Sequence, residues 1–169
     1  MKRYLAALAC LLCLALAGTA SADTPNMRQS INYFMNYFNE AVVQAIKIKE
    51  YEDQEGIAAK RPYTEEFVFF QDLTARIEKS LGLALNLCDL YYIYNKTTYC
   101  FTKDEKNYLF DRLDNIMDTL QKIRDTPYPA AGDLLENKSS VAAKHLAEFN
   151  ERVDKLRAFI KSSLVVFQR

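Results

Sequence analysis

The sequence predicts an all-α protein, an antiparallel up-down-up-down four-helix bundle, and three observations carry that expectation. Gly and Pro are rare, four each in 169 residues, whereas the helix formers Leu, Ala, Lys and Glu are common. Apolar residues recur at steps of three and four through four long segments. Short polar connections join these segments, and short connections make consecutive helices antiparallel neighbours.

The chain opens with a segment that is not part of this fold. Lys2 and Arg3 form a positive start, Tyr4 to Ala17 an uncharged apolar core, and Ala20-Ser21-Ala22 a small-residue cleavage site. That order of parts is a secretory signal peptide over residues 1–22. Its apolar core is shorter than the ~20 residues a transmembrane helix needs, so no stable membrane insertion is expected after cleavage. Cys10 and Cys13 lie too deep in the apolar core for lipidation and leave with the signal. The mature chain, residues 23–169, is a single helical-bundle domain by size. The alanine-rich signal is bacterial in character, which places the mature chain in the periplasm or outside the cell.

The first helix is expected to begin with Thr24 as N-cap and Pro25 at the first helical position. Met27, Ile31, Phe34, Phe38, Val42 and Ala45 draw its apolar stripe, and Gly56 marks its end. Thr64 caps the second helix, with Glu65 and Glu66 in the first turn complementing the dipole. Its stripe is Phe67, Phe70, Leu73, Ile77, Leu81, Leu85, Cys88 and Tyr92, widened by Val68, Phe69, Leu83 and Leu87. Asn95 to Thr98 end it. Thr102 and Glu105 form a capping box for the third helix, whose stripe is Leu109, Leu113, Ile116, Leu120 and Ile123. Pro127 and Pro129 stop it. A turn or two of helix around Asp133 to Asn137 precedes the last helix. That helix is capped by Ser139 or Ser140 and striped by Ala142, Leu146, Phe149, Val153, Leu156, Ile160, Ser163 and Phe167. Short connections exclude the long crossovers of up-up-down-down cytokine bundles.

Composition excludes several functions. Without Lys2 and Arg3 the chain carries slightly more acidic than basic residues, so no basic field recruits nucleic acid. His145 is the only histidine, which removes two-histidine zinc sites and Glu-x-x-His di-iron sites. No nucleophile elbow accompanies it, and no catalytic residue and no metal site is expected. One cofactor alternative remains: a haem-like group inside the bundle held by His145 and Met117. Asp111, Asp114 and Asp118 share a face of the third helix and read as a solvated acidic strip.

Cys88 and Cys100 are the two cysteines of the mature chain, and in an exported protein they are expected to form one disulfide. A disulfide needs Cα atoms about 4.4–6.8 Å apart, so the chain must fold back near the turn between the second and third helices. That turn is unusually aromatic: Tyr91, Tyr92, Tyr94, Tyr99 and Phe101 crowd thirteen residues. In an antiparallel bundle Tyr33 and Tyr37 of the first helix return to the same end. Rigid tyrosines give large contact area at low entropic cost. The expectation is therefore a non-enzymatic interaction protein (an adaptor, inhibitor, immunity-type or sensor module) that binds a protein partner of the cell envelope. It would bind through Tyr33, Tyr37, Tyr91, Tyr92, Tyr94 and Tyr99, without a cofactor.

Overall fold

The computed structural model describes residues 27–59, 64–96, 100–129 and 132–167. The signal peptide, the Thr24-Pro25 cap, Tyr99 and the side chain of Tyr94 lie outside the described residues. The described chain is all-helical, with five helices where four were expected: α1 (Met27–Ala59), α2 (Glu65–Lys96), α3 (Lys103–Asp125), the short α4 (Gly132–Glu136) and α5 (Val141–Phe167). The additional helix, α4, falls where a turn or two of helix was expected around Asp133 to Asn137.

The caps follow side-chain chemistry. The Thr64 hydroxyl accepts from the Phe67 amide at 3.1 Å, and the Ser140 hydroxyl accepts from the Ala143 amide at 3.1 Å, which selects Ser140 over Ser139. At α3 the box is complete: Glu105 donates its amide to the Thr102 hydroxyl, and its carboxylate accepts from the Thr102 amide at 2.8 Å. Thr102→Ala is expected to lower unfolding free energy by about 1 kcal/mol, read by urea denaturation. The first helix runs three residues past Gly56, because one glycine costs a helix only about 1 kcal/mol.

Cross-helix contacts set the topology. Phe34 meets Tyr91, Tyr37 bonds Ser80 and Tyr51 bonds Glu66, so α2 descends as α1 ascends. Tyr33–Phe159, Glu40–Arg152 and Gln44–His145 make the same antiparallel match between α1 and α5. Arg124 pairs with Asp154 across α3 and α5 at 3.1 Å.

All four long helices meet in one core, with Phe34, Ile48, Phe69, Phe70, Leu73, Ile77, Leu87, Leu120, Leu156 and Ile160 closed to solvent. On α3 the buried line is Leu113, Ile116, Leu120 and Ile123, the expected one less its half-exposed first member. On α1 the expected stripe is displaced. The line turned to the core is Ser30, Phe34, Tyr37, Ala41, Gln44 and Ile48, while Ile31, Phe38, Val42 and Ala45 pack on its flank.

The expected disulfide is absent: Cys88 and Cys100 are free thiols. α2 continues eight residues beyond Cys88 to Lys96, about 12 Å of helix. Cys88 is buried in the core while Cys100 is exposed. Burial, with Asp89 nearby, pushes the Cys88 thiol up to about 11. It therefore stays protonated and packs as an apolar residue.

Candidate functional site

Two of the six tyrosines singled out by sequence come together with charged residues, on a face rather than at the bundle end. A groove with two chambers runs between α1 and α5. The upper encloses about 380 Å³ between Tyr33, Asn36, Tyr37 and Glu40 of α1 and Glu148, Glu151, Arg152 and Lys155 of α5. The lower, about 260 Å³, is lined by Asn39, Val43, Gln44 and Lys47 and shares Glu40, Glu148 and Arg152.

The shared residues form a partition. Arg152, 17 % exposed, donates Nη1 to Glu40 Oε2 at 2.6 Å across the groove and Nη2 to Glu148 Oε1 on its own helix. Planar guanidinium geometry suits this bridging role, since two donors leave the same plane in fixed directions. Beside it Lys155 pairs with Glu151 at 2.5 Å, both well exposed, so that pair adds charge pattern rather than stability.

Tyr33 forms the wall of the upper chamber. Its ring stacks on Phe159 at 4.1 Å and 6°, which holds it flat, and burial raises its phenol, with Tyr37 and Glu40 adding to the effect. Tyr37 is buried and donates its hydroxyl to Ser80 at 3.3 Å, so it serves as the floor of the chamber.

At the lower end Gln44, 2 % exposed, donates Nε2 to the His145 carbonyl at 3.0 Å. Its Oε1 is buried without a partner among the described residues. Turning the amide over would set Oε1 against that carbonyl, so the orientation is forced. The His145 ring meets the edge of Phe70 at 6.0 Å, and Nδ1 lies 4.0 Å from Glu148 Oε2. Burial lowers its pKa below the ordinary 6.5, Glu148 opposes this and Lys47 reinforces it. As pH falls through 6.5 the unfolded chain takes up this proton before the folded one, so stability present above that value is lost. Thermal melts should therefore show a lower midpoint at pH 5.5 than at pH 7.5, and His145→Gln should remove that part of the difference.

The remaining expected sites separate. Phe34 and Tyr91 meet at 5.1 Å, so the aromatic sets of α1 and α2 do converge. But Tyr91 is 2 % exposed, and it belongs to the core, as Tyr37 does. Tyr92, 55 % exposed, faces outward. Met117 and His145 cannot hold one group between them. The Arg124–Asp154 pair sets Met117 level with position 161 of α5, about 24 Å along the helix from His145. Among the described residues no cluster of metal-binding side chains occurs, and no helix is long and apolar enough to cross a membrane.

Arg152 and Glu40 were missed by sequence reasoning. Glu148–Arg152 and Glu151–Lys155 are Glu-first pairs four residues apart, a common helical pattern. Nothing in that pattern announces a carboxylate 112 residues away. Comparison with family models, curated proteins and solved structures finds no match to this chain.

Proposed function

We infer that this chain is a non-enzymatic interaction module of the bacterial envelope, exported by residues 1–22, and that it recognises a protein partner through the α1–α5 groove. The observation that carries the reading is the partition. A guanidinium tied to carboxylates on two helices makes a rigid, charge-patterned cleft beside a stacked tyrosine, and rigid aromatic and arginine groups are the residue types that dominate recognition energies. The packed core and the separation of Met117 from His145 argue against a carrier with its ligand inside the bundle.

Affinity capture from the native envelope fraction tests this. Glu40→Lys, an exposed charge reversal inside the groove, should reduce recovery of the partner about tenfold, while Tyr92→Ala at the end of α2 should leave it unchanged. The opposite pattern would move the site back to the tyrosine-rich end.

A further inference from the structure

Charge is spread unevenly along the first two helices. From Gln29 to Ile46, α1 carries one charged residue, Glu40, and Arg152 of α5 holds it. The next stretch, Lys47 to Glu55, carries six. α2 shows the reverse order, with six charges from Glu65 to Lys79 and only Asp89 from Ser80 to Ile93. The helices are antiparallel, with Phe34 against Tyr91 and Tyr37 against Ser80, so the two charge-poor halves lie side by side. Exposed apolar residues gather on them. Met35, Val43, Ile46, Leu85, Tyr92 and Ile93 are six of the nine large apolar side chains exposed among the described residues.

Helical spacing puts Met35 and Ile46, about three turns apart, on one side of α1, turned away from Tyr33, Glu40 and Gln44, which meet α5. Leu85 stands half a turn round α2 from Arg76, which reaches α3. It therefore lies on the side of α2 away from α3. Met35 falls between Phe34 and Tyr37, and Leu85 between Ser80 and Tyr91, so the two share a level. One turn before Leu85 is Gly82, exposed, where an added Cβ would meet no atom within 4 Å. No packing inside the chain calls for glycine there, and a helix interior disfavours it. What the missing side chain provides is room for the close approach of another backbone. The strip is about 26 Å long, the rise from Gln29 to Ile46, and about 20 Å wide for two adjacent helices. Two such strips face to face bury about 1,000 Å², the size at which specific complexes begin.

We propose that this α1–α2 face pairs with the same face of a second copy of the chain, in a two-fold dimer centred on Met35, Ile46, Gly82 and Leu85. A two-fold interface sets one patch against itself, and like charges brought together in this way repel. The α3 face, with exposed Asp111, Asp114 and Asp118, would meet its own carboxylates across such an axis. The α1–α2 face is free of that conflict, and its exposed amides, Asn32 and Asn86, both donate and accept. Asp89 and Tyr92 stand at the rim, where truncation costs little. The groove lies on the α5 side of α1 and is left to the partner protein.

The test is sedimentation equilibrium of the purified protein over about 1–100 μM. A mass rising from monomer to dimer, with a micromolar dissociation constant, is expected for an interface of this size. Leu85→Glu should weaken association about tenfold, because it sets two carboxylates near the axis. Gly82→Gln places its side chain in open space within one chain. It should therefore keep or raise the melting midpoint of the dilute protein while weakening association to a similar extent. Should Leu85→Glu lose helix, Gly82→Gln alone decides. Tyr108→Glu, at an exposed position of α3, should leave the dimer intact. A protein monomeric at every concentration, a dimer indifferent to Gly82→Gln, or one dispersed by Tyr108→Glu overturns the proposal. So does a monomer that floats with phosphatidylethanolamine–phosphatidylglycerol vesicles, which would give the face to lipid.

Discussion

Arg76→Met is expected to lower the unfolding free energy by about 4 kcal/mol, because it leaves the buried Ile123 carbonyl and three part-buried acceptors without their partner at once. Arg76 is 9 % exposed and sits on α2 between Leu73 and Ile77. Its guanidinium donates to the carbonyls of Ile123 at 3.1 Å and Pro127 at 3.0 Å, and also to that of Thr126. Ile123 belongs to the last turn of α3, whose carbonyls a helix cannot satisfy itself, and Thr126 and Pro127 follow directly, so an arginine of α2 caps α3 and pins the turn after it. Asp72 anchors the other side of the group at 2.7 Å, and the Tyr128 ring lies beneath it with its centroid 3.7 Å from Cζ. At about 2–4 °C per kcal/mol for a domain of this size, the melting midpoint should fall by roughly 8–16 °C. Arg76→Lys keeps the charge but loses the fork that reaches three carbonyls, and should fall in between. A loss below about 1 kcal/mol for Arg76→Met would reduce the cluster to an ordinary surface ion pair.

How far the sequence reveals this protein depends on which helix is read. On α3 and α5 the apolar period and the burial agree, since the polar residues Asp111, Asp114 and Asp118 face out while Leu113, Leu120, Phe149 and Leu156 face in. On α1 the period misleads by one position. Ser30 and Gln44 occupy core-facing places, while Met35, Val43 and Ile46 are exposed. A periodicity argument assumes that polar residues seek water, but Ser30 and Gln44 are buried, and the Gln44 amide finds a carbonyl on α5. The candidate site shares that limit. Tyr33 and Tyr37 were visible as aromatics, yet the groove exists because Glu40 and Arg152 bridge helices far apart in sequence. Arg76 is hidden for a similar reason: its partners are backbone carbonyls, which carry no residue identity. The disulfide inference fails on direction: two cysteines of suitable spacing still need side chains that face each other, and the helical phase turns Cys88 into the core.

Tyr91→Ala and Tyr92→Ala, adjacent and chemically identical changes, should differ by about 3 kcal/mol or more. Tyr91 is among the largest side chains closed to solvent in the described residues, packed edge-on to Phe34 at 5.1 Å. Its hydroxyl meets Ser163 of α5, and burial pushes it up to about 12. Truncation therefore opens a cavity where α1, α2 and α5 meet, costing about 3–5 kcal/mol as aromatic-to-alanine changes in cores do. It also leaves the Ser163 hydroxyl without that partner. Tyr91→Phe isolates the polar share and should cost about 1 kcal/mol. Tyr92, with more than half its surface in water, should change stability by less than about 0.5 kcal/mol. Urea denaturation of the three variants reads all of this. Equal, small losses at both positions would return Tyr91 to the surface, and with it the tyrosine-rich bundle end as a place for a partner to bind. A large loss at Tyr91 alone fixes that end as core and leaves recognition to the face where Tyr33 lies flat against Phe159.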